Sequence, residues 1–239
     1  MLFRSLPAGG ATDILIRTLG EHTKTTLGQP FVIENLAGAG GTISTQKLVR
    51  SPPDGYTLQI GNWATHVTAG AVYPIQYNAL DDVEPVAFVG DTPLWLVTKK
   101  DFPAKDFRDL IAWLKANPDK ASAATVGIGS GGHLAGEIFK AAAGINIVPI
   151  SYKGGNISTL EVIANHIPLV MTGLPNLLPQ HRAGKIKILG ITDSKRSALA
   201  PDVPAIAETV PGYEFKNWFG LIVAAGTPNG VIEKINKDV

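Results

Sequence analysis

Two stretches join a glycine-rich turn to the start of a helix in a way that can hold an anion. One is Pro7-Ala8-Gly9-Gly10-Ala11-Thr12-Asp13, the other Gly127-Ile128-Gly129-Ser130-Gly131-Gly132-His133. The first N–H groups of a helix lack partners within it, and the macrodipole leaves that end positive. A carboxylate or phosphate can bind there without a charged side chain. Two such turns far apart in sequence suit a ligand with two anionic ends, or one gripped between two lobes. They point to binding rather than to catalysis.

Other chemistries fit less well. Gly127-Ile128-Gly129-Ser130-Gly131-Gly132 matches G-x-G-x-x-G between a strand and a helix, the context a dinucleotide needs. The acidic residue expected about 20 positions on is missing, for that stretch reads Ser151-Tyr152-Lys153-Gly154-Gly155. A simpler anion or a structural turn is left. Ser130 invites a hydrolase reading, but a nucleophile elbow needs glycine where Ile128 stands. A hydroxyl that bonds a ligand or caps the helix fits better. His22, His66, His133, His166 and His181 show no metal-ligand spacing, and no G-x-x-x-x-G-K-[ST] occurs, so neither a metal nor a cofactor is expected. Asn62-Trp63-Ala64-Thr65 follows an apolar run ending at Ile60. In a loop there Trp63 could wall a ligand while Asn62 and Thr65 bond it, although a Trp of the local core reads equally well.

The elements that must position these residues alternate. Strands are expected over 31–34, 56–60, 86–89, 94–97, 123–128, 148–152, 169–171, 186–191 and 218–223. Helices are expected over 13–27, 42–50, 107–117, 134–143 and 158–165, with Gly28 and Gly144 past two of their ends. Pro149 suits an edge strand. The alternation predicts an α/β fold with mainly parallel strands. Each half has a glycine turn, a helix and a strand. The halves predict two lobes, residues 1–99 with 219–239 and residues 100–218, and a ligand site at carboxyl ends of strands.

Composition sets limits. Apolar residues make up 45% and charged residues 17%, a balance that builds a core rather than a disordered chain. Twenty-one basic against 20 acidic residues, without a basic run, give no reason to expect nucleic acid. The absence of cysteine excludes disulfides and thiolate chemistry. No apolar stretch reaches a membrane span, and Met1-Leu2-Phe3-Arg4-Ser5-Leu6 is not an intact signal peptide.

Together the motifs resemble one family. Pro7-Ala8-Gly9-Gly10-x-x-Asp13 is similar to the opening turn of the tripartite tricarboxylate transporter receptors, the TctC or Bug proteins. The likeness continues, in family order, through Leu27-Gly28-Gln29-Pro30, Gly38-Ala39-Gly40-Gly41, Pro53-Asp54-Gly55-Tyr56, His133-Leu134-Ala135-Gly136, Tyr152-Lys153-Gly154-Gly155, Leu174-Pro175, Pro201-Asp202-Val203-Pro204 and Trp218-Phe219-Gly220. The resemblance implies a periplasmic binding protein type II-like fold, two α/β lobes with a ligand cleft between them. It implies a periplasmic receptor without enzymatic activity, a small organic carboxylate as ligand and two membrane permease subunits as partners, the receptor being a monomer. The ligand contacts carried over are Pro7, Ala8, Gly9, Gly10, Thr12 and Asp13; Asn62, Trp63, Ala64 and Thr65; Gly129, Ser130, Gly131, Gly132 and His133; and Thr172. Presentation of the carboxylate to a sensor kinase is the alternative partner, and a Ser130-dependent hydrolase the alternative chemistry.

The chain departs from the family pattern in places. Relatives carry hydroxyl residues where Gly131 and Gly132 stand, so two hydrogen bonds are lost or room is gained for a bulkier acid. Pro168 and Thr172 replace acidic residues, which predicts a carboxylate without an ammonium group, either a dicarboxylate or an aromatic acid near Trp63. Relatives also extend further at both ends, so the resemblance implies truncation there.

Overall fold

The computed structural model describes residues 2–5 (backbone only), 10–28, 30–36 and 38–239. The chain forms two compact units, Met1–Asp91 with Trp218–Val239, and Thr92–Asn217. No described helix is long and apolar enough to cross a membrane.

In unit 1, strands β1 (Leu2–Ser5), β2 (Val32–Asn35) and β3 (Thr57–Gly61) alternate with helices α1 (Ala11–Thr23) and α2 (Thr42–Val49). A short helical stretch, Ala64–Thr68 then α3 (Ala69–Val72), follows β3, and β4 (Val83–Pro93) leads out. In unit 2, β5 (Trp95–Lys99) and α4 (Phe107–Ala116) precede a second run: β6 (Ser122–Thr125), α5 (Gly131–Ala143), β7 (Val148–Ser151), α6 (Gly155–Ile163), β8 (Leu169–Thr172), α7 (Leu174–Arg182) and β9 (Ile186–Ile191). Strand β10 (Lys216–Ala224) returns to unit 1, and α8 (Asn229–Asp238) follows.

The two sheets share one plan. Their orders are β2-β1-β3-β10-β4 and β7-β6-β8-β5-β9. In each, the first strand of a βαβαβ run lies between the other two, all parallel. Beside the third strand lies an antiparallel one, β10 or β5. The sheets are therefore mixed, not mainly parallel, because those inserted strands belong to no βαβ unit. β5 pairs with β8 and β9, so the 94–97 strand, read into the first lobe, builds the second sheet instead. Pro149 does lie on an edge strand, where its missing N–H costs no ladder bond.

Several elements differ from expectation; helix α8, for one, lies where none was expected. Helix α1 starts at Ala11 and stops at Thr23 rather than at 27, the hydroxyls of Thr23 and Thr26 turning back to the carbonyls of Leu19 and Thr23. Residues after β3 are helical rather than loop. Helix α7 was masked in sequence by Pro175 and Pro179. Pro175 lies in its first turn, where an N–H would be unpaired in any case.

Each sheet has its own core. Ile16 of α1 packs with Leu58, Ile60, Phe219, Leu221 and Val223 in unit 1. Trp95, Val97, Val162, Val170 and Leu177 form one core cluster of unit 2. Ring contacts run from Phe107 to Phe139 (5.6 Å) and from Phe139 to Tyr213 (6.1 Å). The buried Tyr213 hydroxyl donates to the Ala135 carbonyl at 3.0 Å, and burial pushes its pKa up. Helix α5 is thus fixed by both packing and a hydrogen bond.

Candidate ligand-binding site

In unit 2, β7, β6 and β8 are neighbours and parallel, and α6, α5 and α7 each begin shortly after their carboxyl ends. Three helix N-termini therefore lie along one sheet edge, an electropositive rim made of main-chain donors.

The β6–α5 turn needs its glycines. Gly127 (φ 134) and Gly129 (φ 82) occupy the left-handed region. Ser130 is the N-cap, its Oγ accepting from His133 N–H at 3.3 Å. His133 Nδ1 in turn accepts from Gly129 N–H at 3.2 Å, while Nε2 lies 3.8 Å from Glu137, itself paired with Lys140. Ser130 and His133 thus build the turn, and they are not arranged as nucleophile and base.

The space at Gly131 and Gly132 is occupied. A β-carbon at 131 would lie 2.9 Å from Asn217 Oδ1, and one at 132 would lie 2.7 Å from the Met171 carbonyl oxygen. The expectation of added room for a bulky acid is corrected here, because neighbouring atoms occupy the space beside both positions. Met171 precedes Thr172, the last residue of β8. Thr172 Oγ1 accepts from Asn176 Nδ2 at 3.1 Å. A β-carbon at Gly155, the first residue of α6, would meet both of these side chains. Gly154, Gly155 and Asn176 were missed as site neighbours. Gly154-Gly155 carries the signal that Gly9-Gly10 does, a glycine pair between a strand and a helix.

In unit 1, Pro7, Ala8 and Gly9 lie outside the described residues. Gly10 is the N-cap of α1, with extended backbone and no side-chain cap. Thr12 and Asp13 are buried. Asp13 accepts from Arg17 Nε at 3.0 Å and from Asn35 Nδ2 at 2.8 Å, and Arg17 Nη2 reaches Asn35 Oδ1 at 3.2 Å. This carboxylate raises the Arg17 pKa, and it fastens α1 to β2.

Asn62, Trp63, Ala64 and Thr65 leave β3 next to β1, so they share the sheet edge from which α1 begins. Asn62 is buried, and its Oδ1 accepts from Ala64 and Thr65 N–H at 3.0 and 3.4 Å. Trp63 is half-buried and meets Trp218 edge-to-face, centroids 6.4 Å apart. Both tryptophans belong to unit 1, so Trp218 serves as Trp63's wall.

Among the described residues no group of three His, Cys, Asp or Glu could hold a metal ion.

Comparison with known proteins agrees with this architecture. The family described as tripartite tricarboxylate transporter family receptor, TctC, matches residues 15–239. BugT of Bordetella pertussis is 35% identical over 98% of this chain and 72% of its own length. Among solved structures, MatC from Rhodopseudomonas palustris with bound malate is 30% identical at a TM-score of 0.91, covering 100% of this chain and 82% of that one. The R. palustris protein Rpa4515 with adipate is 33% identical at 0.94, covering 99% and 80%. These are solute-binding proteins of the periplasmic type II-like fold, which this chain shares. The chain belongs to the tripartite tricarboxylate transporter receptor family, whose members are substrate-binding receptors and not enzymes.

Proposed function

We propose that this chain is a periplasmic receptor that captures a small organic carboxylate and delivers it to the two permease subunits of a tripartite tricarboxylate transporter. The observation that carries the reading is the rim of helix N-termini at the carboxyl ends of β6, β7 and β8, reached through glycine turns. Main-chain donors there suit a carboxylate. The proposed contacts are Pro7 to Gly10 with Thr12 and Asp13, Asn62 to Thr65, Gly129 to His133, and Thr172. Gly155 and Asn176 join them as neighbours of Thr172.

The ligand class is a diacid without an ammonium group. The Thr172–Asn176 pair is neutral and offers no carboxylate for an ammonium to meet. Bound malate and adipate in the two similar structures support this class. A thermal-shift series of mono-, di- and tricarboxylates, aromatic acids and amino acids tests it. A ligand at about 100 times its dissociation constant adds about 2.7 kcal/mol, enough to raise the midpoint by several degrees. Stabilisation by malate or adipate above that by aspartate or glutamate is the expected result. Equal or tighter binding of the amino acids would overturn the ligand class, and no response to any acid would overturn the receptor reading.

A further inference from the structure

Beyond β3 the chain makes a turn whose hydrogen bonds close on themselves. Asn62 N–H donates to Thr65 Oγ1 at 3.0 Å, while Asn62 Oδ1 accepts from the next turn of backbone. Ala64–Thr68 then wind as a π-helical turn, a rare local form that recurs at functional sites. The His66 ring lies over Gly61, where an added β-carbon would fall 2.8 Å from Nδ1. Nδ1 is 2.7 Å from Thr65 Oγ1, whereas the buried Nε2 has no hydrogen-bond partner among the described residues. Among those residues the ring therefore has a single polar link, and it goes to the hydroxyl that receives Asn62 N–H.

We infer that His66 is a positioning residue for ligand binding: through Thr65 Oγ1 it fixes Asn62 and Trp63 in the geometry that meets the ligand. This rests on the reading that the Asn62 to Thr65 segment touches the carboxylate. The neutral ring is the working form. Protonation would bury a charged ring whose Nε2–H has no acceptor among the described residues. Desolvation alone lowers the ring's pKa. Tyr77, whose hydroxyl donates to the Thr65 carbonyl at 3.2 Å, is a second titratable group bonded to this turn.

The test compares His66→Asn with His66→Leu. Asn places a polar atom where Nδ1 stands, whereas Leu keeps bulk and loses the bond. Two readouts are taken on the full chain: adipate affinity by calorimetry, and near-ultraviolet circular dichroism of the Trp63–Trp218 pair. His66→Leu is expected to melt cooperatively, lose the tryptophan signal and bind adipate about tenfold more weakly, the loss of one hydrogen bond's worth of positioning. His66→Asn is expected to restore both readouts. Thr65→Val removes that bond together with the acceptor of Asn62 N–H, so it should be impaired at least as much as the Leu variant, and it keeps the inference open to refutation if the Leu variant does not fold. A folded Leu or Val variant with wild-type signal and affinity would overturn the inference, as would an Asn variant as impaired as Leu. If wild-type protein binds no acid, the receptor reading falls, while the dichroism still decides whether His66 positions Trp63.

Discussion

Gly132 lies against the main chain of Met171, so closely that a β-carbon at 132 would sit 2.7 Å from the Met171 carbonyl oxygen. Backbone cannot yield as a flexible side chain can, so Gly132→Ser should push α5 off β8 at a cost of about 1–3 kcal/mol. Gly136, in the same helix, has open space around its missing β-carbon. There Gly136→Ala should stabilise by about 0.5–1 kcal/mol through helix propensity. Urea denaturation of the two variants should shift midpoints in opposite directions.

Ser130 separates the helix cap from the ligand. Ser130→Ala removes the acceptor of His133 N–H and should cost about 1 kcal/mol. Ser130→Asp keeps a capping acceptor and adds a favourable charge at the helix start, so its melting point should match or exceed wild type. The same charge faces the position proposed for the ligand carboxylate, and adipate binding should be lost. Melting curves with and without adipate check both halves of this prediction.

The Asp13 carboxylate carries two side-chain donors while 4% of its side chain is exposed. Asp13→Ala should therefore cost about 2–3 kcal/mol, the value of hydrogen bonds to a buried charge. Arg17, half exposed at 53%, should cost much less as Ala, because solvent screens its charge. Chemical denaturation of the two single variants gives the comparison directly.

Acid should weaken the fold through His66. Burial lowers its pKa from 6.5 to about 4. Between those values the unfolded chain binds the proton and the folded one does not. The contribution is therefore complete above pH 6.5 and is lost as pH falls toward 4. The full loss is about 3 kcal/mol, each pH unit between the two values being worth about 1.4 kcal/mol. Denaturation midpoints at pH 7 and pH 5 should differ more in wild type than in His66→Asn.

Much of this was legible locally. Glycine pairs before helices, the Ser130 cap, the Gly144 stop and the edge position of Pro149 all follow from the chemistry of a few adjacent residues. Helix α7 was illegible for the same reason, since two prolines argue against a helix until Pro175 is known to fall in the first turn. The Asn62 to Thr65 segment read as loop because a π-helical turn has no simple sequence period.

The sequence by itself determined the α/β class, the family and the turns that can receive an anion, because propensity, capping and glycine conformation act over one or two turns of chain. Only the tertiary structure decided that β5 joins the second sheet, that Asn217 and the Met171 carbonyl fill the space at Gly131 and Gly132, and that His66 closes over Gly61. Those outcomes depend on strand pairing and close approach between distant segments, whose energies are set by packing and are not written in any local pattern.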